Sequence, residues 1–194
     1  DRSPSRGLGD VYKRQVMGGE SYYDPSQDKP NVIVPEGEFY AHVKDYTVKE
    51  DVVIRGKYLA DIYNLNFKLA EENSDKTFGD MNGSVFVGKM VRSKGLFRFK
   101  TPDSKNLEPN SGGNREFKEV LESIGVKPEE KEIDGNVVYA LPVLTPSNCE
   151  GAPAIIRIKH ETWTNRDGEE VVSPKANGIF SWSNGKKDVS DMPF

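Results

Sequence analysis

The stretch from Leu59 to Leu69 constrains the fold more than any other segment. Leu59, Asp61, Tyr63, Leu65, Phe67 and Leu69 fall on one side of a period-two pattern, while Asn64, Asn66 and Lys68 fall on the other. Side chains alternate across a strand, so this pattern describes a strand that buries one face and wets the other. A sheet with one dry face must close around a core or pack on a second layer.

Further strands flank it. Phe39, Ala41 and Val43 alternate with His42 and Lys44 after the turn signal Pro35-Glu36-Gly37. Asn73 to Asn82 reads as a polar connection, and Ser84 to Val91 and Leu96 to Lys100 resume strand-like alternation around a Ser93-Lys94-Gly95 turn. Thr101 to Asn114 is a Pro-, Asn-, Ser- and Gly-rich loop. Asn114 then stands where an N-cap belongs. Phe117, Val120, Leu121 and Ile124 follow at helical spacing, closed by Gly125 and Pro128. Asn136 to Leu144, Ala154 to Thr164 and Glu170 to Trp182 complete the strands, the last two joined by a turn containing Asp167-Gly168. In the penultimate strand Ala154, Ile156, Ile158 and His160 form the core face. The expectation is a mainly β protein: a small antiparallel barrel, oligonucleotide-binding-like, with one inserted helix. A β-sandwich houses the same count.

The chain has 194 residues, 35% of them hydrophobic and 30% charged, which is lean for a globule and places solvated segments at the ends. Three parts are expected: a leader over residues 1–34, a β-domain over 35–182 and a flexible tail over 183–194. Asp1 to Gln15 resembles a translated sequencing-adapter leader and is set aside; without it the formal charge moves from −4 to −6. An acidic chain does not coat duplex DNA through bulk charge, so any nucleic-acid site is a local basic patch. No stretch has the length and apolarity of a membrane span, and the chain reads as a cytoplasmic protein.

Residues for catalysis are lacking. Cys149 is the single cysteine, and His42 and His160 are the only histidines, so no cofactor and no metal is expected. Gly112-Gly113 lacks the strand and lysine of a phosphate loop. No Gly-x-Ser-x-Gly elbow occurs. Glu-x-Lys occurs at Glu116–Lys118 and Glu129–Lys131 and is similar to the pattern of metal-dependent nucleases. On the expected helix, however, positions i and i+2 point apart, so the pattern is read as chance and the chain as a non-enzyme.

Two elements break the acidic balance. Lys89 to Lys100 contains Lys89, Arg92, Lys94, Arg98 and Lys100 together with Phe97 and Phe99, and no acid. Basic side chains that track phosphates and aromatic faces that stack bases are what single-stranded nucleic acid needs. Phe97 and Phe99 share one strand face, Arg98 and Lys100 the other. The second element carries Arg157, Lys159 and Trp163 on one outward face. Core packing of the two phenylalanines and plain solvation of the cations are the alternatives at both places.

The order of parts carries a resemblance. Val34-Pro35-Glu36-Gly37-Glu38-Phe39-Tyr40, the helix end Phe117-Lys118-Glu119-Val120-Leu121-Glu122-Ser123-Ile124-Gly125, and Gly151 to Trp163 with a glycine-containing last strand resemble a phage family long catalogued as a domain of unknown function. Its members are similar to single-stranded DNA-binding proteins with an oligonucleotide-binding-like fold. The terminus, Asp188 and Asp191 before Met192-Pro193-Phe194, resembles the acidic tip of bacterial single-stranded DNA-binding proteins, although Lys186 and Lys187 adjoin it. The resemblance implies a single-stranded DNA-binding accessory of phage replication or recombination in the host cytoplasm, with phage or host replication and repair proteins as partners of the tip. A phage structural or assembly protein is the alternative. Oligomeric state is left open.

Overall fold

The structure is a computed structural model that describes residues 32–103 and 106–187. Strands β1 (Gly37–Ile54) and β2 (Tyr58–Leu69) form a long hairpin. Its turn has both central residues left-handed, Arg55 at φ 52° and Gly56 at φ 67°. That is the turn geometry whose twist suits a two-residue hairpin. After it come β3 (Thr77–Phe78) and β4 (Met81–Asn82), then β5 (Met90–Ser93), β6 (Leu96–Phe99) and helix α1 (Arg115–Ser123). The remaining elements are β7 (Glu129–Ile133), β8 (Asn136–Ala140), the short α2 (Pro146–Cys149), β9 (Pro153–Thr164) and β10 (Glu170–Ser181).

The main sheet runs β1-β9-β10-β5-β2 and closes by pairing β1 with β2, a five-strand barrel in which β6 extends the β5 position along β2. The helix lies in the chain between β6 and β9, as in an oligonucleotide-binding-like barrel. All neighbours are antiparallel except β5 and β10, which are parallel. An odd number of strands around a closed ring cannot alternate direction throughout, so one parallel seam is forced.

Burial follows the alternation. Phe39, Ala41, Val43, Tyr63, Leu65, Phe67, Leu69, Val91, Leu96, Ala154, Ile156, Ile158 and Ala176 line the interior. Helix α1 adds Phe117, whose ring centroid lies 5.3 Å from that of Tyr63. The segment after β2 adds buried Phe86, edge-on to Phe39, and half-buried Phe78, stacked on Phe39 at 4.0 Å. Each buried ring of this kind contributes about 2 to 3 kcal/mol of hydrophobic stabilisation.

Where the backbone ladder breaks, side chains complete it. Asn73 accepts from the Tyr40 N–H at 2.9 Å and donates to the Tyr40 carbonyl at 2.7 Å, continuing the ladder of β1 past the end of β2. The Ser93 hydroxyl accepts from the Leu65 N–H at 2.9 Å at the junction of β5 and β6. Unpaired buried peptide groups cost about as much as a lost hydrogen bond, so these polar side chains are structural.

Several expectations are corrected. Ser84 to Val91 is not one strand: Gly83–Phe86 is a 3-10 turn and only Met90–Ser93 is extended. Ser93-Lys94-Gly95 is no hairpin turn, because β5 and β6 both run antiparallel to β2 and form one interrupted strand. Asn114 makes no side-chain cap on α1. The expected strand over Asn136 to Leu144 is shorter, and it pairs with β7 in a separate hairpin outside the barrel. His160 is exposed rather than core. Pairing of β9 with β1 ends at Ile158, so no barrel interior lies beneath the next inward position. Finally, the chain does not leave the domain at Ser183: His42 Nε2 meets the Lys186 carbonyl at 2.9 Å, and Lys187 donates to the Ser147 carbonyl at 3.2 Å.

Candidate nucleic-acid interface

Three strands place cations in one transverse row. Lys159 on β9 is paired with Lys175 on β10, which is paired with Arg92 on β5. Their neighbours Ile158, Ala176 and Ser93 are buried, so all three side chains point outward. Adjacent strands are roughly 5 Å apart, so the row crosses the barrel wall at close spacing. Among the described residues none of the three meets a carboxylate at ion-pair distance. Arg92 is oriented by donating to the Thr47 hydroxyl at 2.8 Å. The row then reaches Asn66, whose amide donates to Asp45.

The other candidate cations are engaged. Arg157 holds Glu38, its cross-strand partner, at 2.7 Å and lies 4.9 Å over the Phe180 ring. Lys94 meets Glu116 at 2.7 Å. Arg98 and Lys100 turn to the inner side, where Arg98 reaches Asp61 at 3.2 Å and Lys100 reaches Asp61 at 3.0 Å and Asp51 at 2.6 Å. Asp61 is buried. Burial alone would raise its carboxyl, but hydrogen bonds from Lys100 and the Asp51 N–H, with the charges of Lys100 and Arg98, hold it below the ordinary carboxylate range. Lys89 sits before β5, its carbonyl accepting from the Leu69 N–H.

Exposed aromatics flank the row on both sides. Trp163 lies four residues beyond Lys159 on the same outward face of β9, 53% exposed, with Glu161 between them. On the opposite side Phe97 and Phe99 are half-exposed and stacked at 5.9 Å, opposite Ile62 and Ala60 on the outer face of β2. Arg92 pairs with Asn66, so about 13 Å of strand separates it from Phe97. Tyr58 meets Phe99 edge-on at 6.0 Å.

Of the candidates that the sequence named in two separate elements, the structure brings Arg92, Lys159, Trp163, Phe97 and Phe99 to one outer surface, while Lys94, Arg98, Lys100 and Arg157 are bound to acids. Lys175 and Tyr58 were missed. Lys175 stood in a strand without other cations, and only cross-strand register brings it between Lys159 and Arg92. Asp188, Asp191, Met192, Pro193 and Phe194 lie outside the described residues.

The two Glu-x-Lys patterns are taken up by ion pairs among the described residues. Glu116 and Lys118 belong to separate ion pairs, with Lys94 and Glu122, and Glu129 pairs with Lys131 across one face of β7 at 3.2 Å. Cys149 is buried, and burial pushes its thiol up to about 11. Among the described residues no group of three His, Cys, Asp or Glu side chains could hold a metal ion, and no helix is long and apolar enough to cross a membrane. Compared with known proteins, the sequence matches no family model and no curated protein.

Proposed function

We propose that this barrel binds single-stranded DNA as an accessory of phage-type replication or recombination, acting by binding alone. The observation that carries the reading is the in-register row Lys159–Lys175–Arg92, none of which meets a carboxylate at ion-pair distance among the described residues, in a chain of net negative charge. With aromatics beside it, the row supplies a track for phosphates and faces for unpaired bases. Phosphate contact displaces counterions, so affinity for fluorescent oligo-dT should fall with salt, at a log–log slope of roughly −0.7 per contact. Duplex of equal length should bind far more weakly, because its bases are paired and stacked. A flat salt response, or equal affinity for duplex, would sink the proposal.

A second reading, a structural or assembly protein, draws on the β7–β8 hairpin. It stands outside the barrel and exposes Ile133 (55%), Val137 (59%) and Tyr139 (46%). Self-association in sedimentation, lost on Val137→Ser, with no binding to oligo-dT would favour that reading.

A further inference from the structure

Beside the turn of the β1–β2 hairpin lies a cleft of about 370 Å³ lined by Ile54, Arg55, Tyr58, Phe97, Phe99, Asn110 and Gly113. We propose that this cleft is a discrete nucleotide pocket that takes one unpaired base bearing a ring carbonyl. The inference rests on the single-strand reading above and adds to it a site with its own selectivity.

The walls are flat and fixed. Tyr58 and Phe99 stand at 87° to each other, and Phe97 lies nearly parallel to Phe99 at 19°, so the cleft offers ring surfaces in two orientations. Phe99 cannot drift. Its N–H donates to the Asn114 side-chain carbonyl at 2.7 Å, and its carbonyl accepts from the Asn114 amide at 3.0 Å. Its ring fills the space a side chain at position 113 would need, since a Cβ on Gly113 would lie 2.6 Å from it. Pre-organised aromatic walls lose little entropy when a ligand enters.

The polar side chains of the lining are Arg55, Tyr58 and Asn110. Asn110 accepts from the Gly113 N–H at 3.1 Å through its side-chain carbonyl. Among the described residues its amide nitrogen has no hydrogen-bond partner, which leaves a donor at the cleft. A donor there selects acceptors: thymine, cytosine and guanine carry a ring carbonyl, and adenine does not. Arg55, held left-handed at the hairpin turn, supplies the one cation of the lining, placed to meet the nucleotide's phosphate. A slot walled by aromatic rings, with the Asn110 amide, the Tyr58 hydroxyl and one cation among its lining, matches a nucleotide better than it matches an aliphatic or a peptide ligand.

The test compares oligo-dT with oligo-dA of equal length on the wild type, Tyr58→Ala and Asn110→Asp, with melting temperature as the folding control. Asn110→Asp keeps the acceptor for Gly113 and removes the donor; comparing the ratio of the two affinities cancels its added charge. Tyr58→Ala should weaken oligo-dT about fivefold or more, the loss of one base stack. Asn110→Asp should shrink the dT-to-dA preference several-fold while Tyr58→Ala stays folded. If oligo-dT binds with a normal salt slope but both variants leave affinity and preference unchanged, the pocket is wrong and the single-strand reading stands. If no oligonucleotide binds the wild type, both fail.

Discussion

Asn114 holds the peptide of Phe99 from both sides, accepting its N–H at 2.7 Å and donating to its carbonyl at 3.0 Å. An asparagine side chain has the donor and acceptor of a peptide group, so it can stand beside β6 as a one-residue strand. Replacing Asn114 with Ala strips both partners from a part-buried peptide, and unfolding experiments should show a loss of about 1 to 3 kcal/mol. Asn114→Asp keeps the acceptor alone and should fall between Ala and wild type at neutral pH. Unchanged stability in both variants would mean the clamp is incidental.

The row and the inner cations should separate cleanly by mutation. Lys175→Ala and Lys159→Ala should each lower oligo-dT affinity and reduce the salt slope by roughly 0.7, with melting temperature nearly unchanged. Arg98→Ala should do the reverse, lowering stability by about 1 to 3 kcal/mol because it leaves the buried Asp61 with one cation fewer. An Arg98 variant that melts normally but loses the salt slope would place Arg98 on the ligand instead.

Asp61 makes stability depend on acid. Its folded carboxyl titrates below the ordinary value, so its contribution is fully present above about pH 4, where the unfolded group is ionised. That contribution is lost as pH falls through the lower folded value. Asp61→Asn removes it and leaves Arg98 and Lys100 facing each other without their shared carboxylate. The variant should be less stable at pH 7, and its stability should fall less between pH 5 and pH 2. Parallel pH curves for the two proteins would contradict this.

Residues 182–187 pack on the barrel, and the proposed partner-binding tip lies beyond the described residues. Trp182 covers Tyr40 and lies 5.3 Å from the His42 ring, and Lys187 donates to the Ser147 carbonyl at 3.2 Å. Trp182→Ala should therefore lower stability by about 1 to 2 kcal/mol, the value of a partly buried aromatic. Deleting residues 188–194 should leave melting and oligo-dT affinity as they were and abolish capture of a phage or host replication enzyme. A truncated protein that melts early with partner capture intact would show that the tip serves folding.

Much of the barrel was legible because alternation is a local property. The faces of β2, the inward Ala154, Ile156 and Ile158, the Asp167-Gly168 turn and the apolar stripe of α1 each follow from spacing within one element. So did the outward direction of Lys159 and Trp163. Asn114 was misread because an asparagine before an apolar helical stripe has the local features of a cap. Its partner, Phe99, is fifteen residues away, and no local pattern records that distance. His160 continued the alternation of β9 correctly, but burial depends on whether another strand or the core lies beneath, and pairing with β1 stops at Ile158.

What the sequence determined by itself is the set of faces of β1, β2, β6 and β9, which side chains point in and which point out, and that the helix α1 interrupts the strands. What only the tertiary structure decided is which charges meet. Arg92, Lys94, Arg98 and Lys100 look alike in a run of twelve residues, yet Glu116 neutralises Lys94, Asp61 and Asp51 neutralise Arg98 and Lys100, and Arg92 keeps its charge beside Lys175 and Lys159. The reason is physical. Alternation is set by the pleat of one strand, whereas pairing is set by the register between strands far apart in the chain. That register exists only once the barrel has closed.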